Sequence, residues 1–288
     1  MNRRELLTLA VGAHVLPLRA AEPKRLGSLA RRCAALEKSR GGRLGVAVLD
    51  TGTGERAGWR GSERFPLCST FKFLLAGVVL QRVDRGEDRL ERLLSIPAPP
   101  LLSHSPLMRA HAGGKMPLAE LCRAVLVQSD NTAANVLLES LGGPGGITRF
   151  CRSIDDEVTR LDRWEPALNE ALLNDPRDTT APRAMVDDLQ SLVLGEVLSP
   201  RSRGQLIQWM QDCVTGLDRL RARLPSGWRA ADKTGTNGEH TTNDIAVFWP
   251  SGGSPVVVAA YLTQCPGEER KRTAMLAEIG GWVMEAVG

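Results

Sequence analysis

Strand-forming runs stand at both ends of this 288-residue chain, and that order restricts the fold more than any other feature. Leu44-Gly45-Val46-Ala47-Val48-Leu49-Asp50 is short, apolar and bounded by Gly41-Gly42 and Thr51-Gly52-Thr53-Gly54. It reads as a buried strand leading into a turn, with Ala57-Gly58-Trp59-Arg60 as the second arm of a hairpin. Late in the chain, residues 228–236, 245–249 and 256–262 are further strand runs. Between the two groups helical spacing prevails, most clearly over residues 118–128, 133–141, 185–194 and 202–212. Helices are also expected over residues 24–40 and 274–286. The glycine cluster at 142–146 lacks the Gly-Lys-Ser/Thr ending of a phosphate loop and reads as a turn. The expectation is an α/β (α+β) architecture: an antiparallel sheet flanked by helices and formed by both chain ends, with an inserted all-helical domain. Its boundaries are expected near residues 24–62 plus 213–288 for the sheet part and 63–212 for the helical part.

One helical run carries chemistry. Ser69 and Lys72 head the apolar stretch Phe71–Leu80, in which Lys72 is the only charged residue. Positions three apart share a helical face, so hydroxyl and amine would lie side by side. A helix starting at Ser69 would aim unpaired N–H groups and its positive dipole end at the reacting oxygen. Burial of Lys72 would depress its pKa and make it a usable base. The tetrapeptide is short, and taken alone it favours an ordinary core helix whose lysine snorkels outward.

Composition bounds the alternatives. At 42% hydrophobic and 24% charged, the chain is an ordinary globular one with length for a substantial core. Aromatics are 4%, too few for the stacking platforms of single-stranded nucleic-acid binders. Arg3-Arg4, an apolar run over residues 6–13 and Leu18-Arg19-Ala20 read as an export signal spanning residues 1–20, too short for a stable membrane anchor. The paired arginines hint at the twin-arginine route. Removing residues 1–20 takes away three arginines and one glutamate, lowering the formal charge of +4 by two. No remaining block is basic enough for a nucleic-acid footprint. The six cysteines, at 33, 68, 122, 151, 213 and 265, form no Cys-x-x-Cys. Some could pair in an oxidising compartment, in a connectivity that spacing does not reveal.

Two further motifs join the first: Ser129-Asp130-Asn131, between helical segments, and Lys233-Thr234-Gly235-Thr236, in a late strand run. Each alone is common. Ser-x-x-Lys, Ser-Asp-Asn and Lys-Thr-Gly in this order are the known signature of class A β-lactamases and penicillin-binding proteins. From about residue 24 onward the chain resembles a class A serine β-lactamase. Arg163-Trp164-Glu165-Pro166-Ala167-Leu168-Asn169, ending at Asp175-Pro176-Arg177-Asp178, looks like the omega loop of that family. Penicillin-binding proteins generally lack its glutamate. Thr241–Ala246 is also like the strand entry of several class A groups.

The resemblance implies a set of roles. Ser69 attacks the β-lactam carbonyl to form an acyl-enzyme, with Lys72 or Glu165 as the acylation base. Ser129 passes a proton to the departing ring nitrogen, and the N–H groups of Ser69 and Thr236 hold the oxyanion. Glu165, helped by Asn169, activates the water that deacylates the enzyme. Lys233, Thr234 and Thr236 hold the drug's carboxylate and Asn131 its amide side chain. Gly235 leaves the strand open to substrate. Thr242 stands where some members carry a carboxylate-binding arginine, and Arg219 matches the substitute position. An Arg163–Asp178 ion pair would close the loop. The implied enzyme is a monomeric periplasmic hydrolase of penicillins and cephalosporins, without cofactor, metal, nucleic-acid partner or membrane anchor.

Departures from the family pattern narrow this reading. His104 replaces the usual gating aromatic. The family's disulfide partners for Cys68 and Cys122 would fall at Asn237 and Ala76, so neither bond is expected. The cysteine pattern therefore gives no support for carbapenem hydrolysis, while Thr236 is compatible with cephalosporins. A penicillin-binding D,D-peptidase and a non-hydrolytic β-lactam sensor share Ser69, Lys72, Ser129 and Lys233 but do not need Glu165. No Gly-x-Ser-x-Gly is present, and His104, His111 and His240 have no zinc-site arrangement.

Overall fold

A computed structural model describes residues 25–288, so the expected signal segment lies outside the described residues. In chain order, α1 (Leu29–Arg40) precedes β1 (Arg43–Asp50) and β2 (Arg56–Trp59), then come the short β3 (Phe65–Pro66) and α2 (Phe71–Asp84). A small hairpin-like pair, β4 (Leu93–Ser95) and β5 (Lys115–Pro117), leads into α3 (Leu118–Val127), α4 (Asn131–Ser140) and α5 (Gly145–Ser153). After a long loop follow β6 (Thr179–Thr180), α6 (Pro182–Leu189) and α7 (Pro200–Gln211). The chain closes with β7 (Arg229–Thr236), β8 (Thr242–Trp249), β9 (Val256–Thr263) and α8 (Glu269–Val287).

Five strands form one antiparallel sheet in the order β2-β1-β9-β8-β7, so the two chain ends meet where β1 pairs with β9. Ala47 faces Ala259, which also pairs with Ile245. Successive strand residues point to opposite faces. Val46, Val48, Ala246 and Val258 therefore pack under α1 and α8, against Leu29, Leu36, Leu276 and Ile279. Ala47, Leu49, Val247, Ala259 and Tyr261 face the helical part, against α2 and α6. Burial on both faces explains why β9 reads as a continuous apolar run instead of an alternating one.

At the centre of the helical part lies α2, buried on every side from Phe71 to Gln81. A helix apolar all round belongs in a core, and this one delivers Lys72 into it.

Several boundaries differ from the sequence expectations. The first helix starts at Leu29, after a turn over residues 25–28. Ser69 lies in a 3₁₀ turn, Cys68–Thr70, and the α-helix proper begins at Phe71. Gly142 and Gly143 do make a turn with positive φ, but Gly145 opens α5. Ile147, Phe150 and Cys151 drive that helix into the core, overriding the poor propensity of its leading glycines. α6 ends at Leu189 and passes into a single π turn over Gln190–Leu194. β8 begins at Thr242, because Thr242, Asn243 and Asp244 are buried polar residues whose hydrogen-bond partners only the fold supplies. α8 begins at Glu269, five residues earlier than its apolar stripe indicated.

Candidate active site

The nucleophile turn is held from two sides. Leu67 N–H donates to the Asp178 carbonyl at 2.8 Å, tying the turn to the 162–178 loop. Asn243 Nδ2 donates to the carbonyls of Pro66 and Leu67, tying it to β8. Cys68 takes a left-handed φ of 43°, an uncommon conformation for a non-glycine residue directly before Ser69. Such strain clusters at functional sites, where the surrounding structure overdetermines it.

Lys72, three residues on, is fully buried. Its Nζ donates to Ser69 Oγ at 3.0 Å, the Ser129 carbonyl at 2.8 Å and Asn131 Oδ1 at 2.6 Å, with Ser129 Oγ at 3.4 Å. Glu165 Oε1 lies 3.0 Å away on another side. Burial pulls the Lys72 pKa below its ordinary value, and the Glu165 charge opposes that pull.

Ser129 sits at the junction of α3 and α4 with a φ of 59°, the kink that turns its side chain towards both lysines. Its hydroxyl also accepts from Lys233 Nζ at 3.2 Å. Lys233 lies on β7, donates to the Thr234 carbonyl at 2.7 Å, and has its pKa lowered to about 8, chiefly by burial and further by the Lys72 charge. One hydroxyl thus bridges two buried amines.

Glu165 approaches from the loop side. Asn135, on α4, accepts from the Glu165 N–H at 3.0 Å and donates to its carbonyl at 2.9 Å. Asn169 Nδ2 donates to Oε2 at 2.6 Å. Oε1 accepts no hydrogen bond of good geometry among the described residues, although Lys72 stands beside it. The loop closes on itself through Arg163 Nε and Asp178 Oδ2 at 2.6 Å, and Asp178 Oδ1 accepts from the N–H groups of Asp162 and Arg163.

Ser69, Ser129, Asn131, Asn169, Thr234, Gly235, Thr236 and Arg219 line one cavity of about 560 Å³, with His104 at its wall. Lys72, Glu165 and Lys233 stand behind that lining, buried. A serine hydroxyl at a cavity wall, backed by a buried amine and a buried carboxylate, has the parts that acyl transfer through a serine requires.

Three of these lining residues also have partners within the protein that the sequence did not indicate. A Cβ on Gly235 would lie 3.0 Å from the Leu67 carbonyl and 3.2 Å from Thr70 Cγ2, so its missing side chain also makes room for the nucleophile turn. Thr236 Oγ1 donates to the Thr241 carbonyl at 3.0 Å, which commits its only hydroxyl proton inside the protein. Arg219 is buried: Nη1 donates to the carbonyls of Gly235 and Asn243, and Nη2 reaches Glu269 at 3.1 Å. Thr234 Oγ1 shares a hydrogen bond of 2.6 Å with Thr215. All six cysteines are free and buried.

Sequence reasoning named Asp130 only as part of its motif, without its capping role, and missed Asn135 and Arg272. Asp130 caps α4 through Ala133 N–H and accepts from Leu107 and Met108, anchoring the segment that carries His104. An aspartate just before an apolar helical run was the available signal. Asn135 lies one turn after Asn131, a helical spacing that marks a shared face but not a partner on another segment. Arg272, fully buried, donates to Thr242 Oγ1 and to carbonyls of Glu239, Cys265 and Gly267. A helix-surface arginine carries no signal for such burial.

Comparison with known proteins identifies the family. A family model described as the β-lactamase enzyme family matches residues 28–287. β-Lactamase L2 of Stenotrophomonas maltophilia is 51% identical over 248 residues, 86% of this chain and 82% of that protein. β-Lactamase Toho-1 of Escherichia coli is 42% identical over 96% of this chain and 94% of its own length. Among solved structures, an ancestral (GNCA) class A β-lactamase matches with 57% identity and a TM-score of 0.87, covering 90% of this chain and 99% of that one. A β-lactamase from Xanthomonas campestris pv. campestris matches with 48% identity and a TM-score of 0.89, covering 92% and 99%. The chain belongs to the class A β-lactamases. It is a hydrolase of β-lactams, an activity of antibiotic resistance.

Proposed function

We propose that the enzyme opens penicillins and cephalosporins through an acyl-enzyme on Ser69, which water activated by Glu165 then hydrolyses. The observation that carries this reading is the position of Lys72 Nζ, 3.0 Å from Ser69 Oγ and 3.0 Å from Glu165 Oε1. That spacing puts the nucleophile and the deacylation base on one proton-carrying group. In acylation, Ser69 Oγ bonds to the carbonyl carbon as its proton passes to Lys72 or, through water, to Glu165. The N–H groups of Ser69 and Thr236 receive the developing oxyanion; removing one such donor costs roughly a hundredfold or more in rate. The C–N bond then breaks, and Ser129 gives its proton to the ring nitrogen while drawing on Lys72 and Lys233.

Deacylation needs an acceptor for a water proton. Glu165 Oε1 has that capacity, and Asn169 orients the carboxylate through Oε2. Lys233 and Thr234 hold the substrate carboxylate by charge and hydrogen bond, with Arg219 contributing positive potential from beneath. Asn131 keeps its amide NH₂ for the substrate side chain while its Oδ1 serves Lys72.

We read residues 1–20 as an export signal, which would place the enzyme in the periplasm, and propose separately that it works as a monomer. No helix among the described residues is long and apolar enough to cross a membrane. The test of the catalytic reading is turnover of a chromogenic cephalosporin and of a penicillin, paired with intact mass after mixing. Multiple turnovers with a transient adduct on Ser69 are expected. A stoichiometric adduct that persists would replace the hydrolase mechanism with that of a sensor or target.

A further inference from the structure

Away from the catalytic cavity, a second cluster of chemistry-bearing side chains is buried where α5 meets α6. Cys151 lies in the last turn of α5, Asp156 in the loop that follows it, and Asp188 near the end of α6. All three are buried, and one ligand atom from each lies within 4.8 Å of the others.

The carboxylates are poorly provided for. Asp156 Oδ1 accepts from the N–H groups of Val158 at 2.7 Å and Thr159 at 3.0 Å, but Oδ2 has no partner among the described residues. Asp188 is 1% exposed, and its Oδ2 is likewise unpartnered. Arg152 gives the carboxylates no hydrogen bond: its Nη1 donates to the main-chain carbonyls of Asp156 and Thr159, and its Nε faces Glu157. Buried polar atoms without partners are costly and call for an ion or a shared proton.

A route to the cluster exists. A cavity of about 500 Å³ reaches Asp156 and Asp188 and is lined also by Asp155, Glu157 and Asp187, with Arg183 as its one cationic residue. Its lining shares no residue with the cavity at Ser69. An acidic approach with low-dielectric walls concentrates cations.

We propose that Cys151, Asp156 and Asp188 form a binding site for a divalent ion of the zinc class, pinning the end of α5 to α6. A thiolate with two carboxylates suits zinc or cobalt, whereas an all-oxygen set would suit magnesium or calcium. Three protein ligands leave a position for water in tetrahedral coordination. On binding, the metal displaces the Cys151 thiol proton, which leaves to solvent, and is met by the two carboxylates as anions. The site was invisible in the sequence because its ligands come from three segments without the Cys/His spacing of a known motif.

Cobalt reports thiolate ligation directly. Chelator-treated full-length protein titrated with Co²⁺ is expected to develop a sulfur-to-cobalt charge-transfer band that saturates at one cobalt per chain and is displaced by Zn²⁺. Cys151→Ser should abolish the band, and the near-isosteric Asp188→Asn should weaken cobalt binding about tenfold or more. Absence of the band in the unmutated protein would overturn the proposal without recourse to any variant. Persistence of the band in Cys151→Ser, by pointing to another thiol, would overturn it too.

Discussion

Lys72 and Glu165 form an ion pair of 3.0 Å between Nζ and Oε1, with neither side chain exposed to solvent. Removing two charges from water costs several kcal/mol per ion, so such a pair persists only with further hydrogen bonds. Lys72 has them from Ser69, Ser129 and Asn131, and Glu165 has one from Asn169.

Separating the two residues should separate the two half-reactions. Glu165→Ala keeps Ser69 beside Lys72, so acylation is expected to continue while the ester accumulates. Intact mass would show a stable adduct, and steady-state hydrolysis should fall by about a hundredfold to ten-thousandfold. Normal turnover in this variant would remove Glu165 from deacylation.

Lys72→Ala attacks the other half and also strands the Glu165 carboxylate in the core. Acylation should slow by a similar factor, because the amine is the group nearest Ser69 Oγ. Breaking a buried pair typically costs about 3–5 kcal/mol, so the melting temperature should fall as well. A Lys72→Ala, Glu165→Ala double variant should recover part of that loss, which a thermal double-mutant cycle would measure.

The loop carrying Glu165 depends on Asp178, which receives Arg163 Nε and two N–H groups and offers its own carbonyl to Leu67. Asp178→Asn keeps the shape but loses the charge. We expect lower thermal stability and a slower deacylation step, with acylation less affected. Stopped-flow measurement of both rates checks this, since equal slowing would point to general unfolding.

Lys233 supplies a pH signature. With its pKa lowered to about 8, the amine loses its charge as pH rises through that value, and KM for an anionic β-lactam should rise with it. Lys233→Arg, which holds its proton throughout, should abolish that alkaline limb. Folding stability moves in the opposite sense. Between about 8 and the ordinary 10.5 the unfolded lysine binds the proton more tightly, so this group's contribution to stability increases with pH. A KM limb unchanged in the arginine variant would assign it to another group.

Arg219→Ala tests a residue with two attachments. Loss of positive potential beneath the cavity should raise KM for penicillins and cephalosporins, while kcat falls less. The carbonyls of Gly235 and Asn243 would also lose a donor, lowering stability by roughly 1–3 kcal/mol. An unchanged KM with a lowered melting point would leave the arginine a purely structural role.

Local chemistry made much of this protein legible in its sequence. Apolar runs of strand length at both ends, helical spacing between them and one lysine in an apolar helix all follow from side-chain type and period. They carried the sheet built from both termini, the inserted helices and the pairing of Ser69 with Lys72, because residues three apart meet without help from the rest of the chain. Tertiary structure alone decided the remainder. Whether Arg219 and Arg272 lay in solvent or in the core, which neighbour Gly235 made room for, and that Asn135 would clasp Glu165 all depend on segments remote in sequence. So does the meeting of Cys151, Asp156 and Asp188. Periodicity records which face of an element is apolar; it holds no record of which polar atoms from distant elements will share one buried volume.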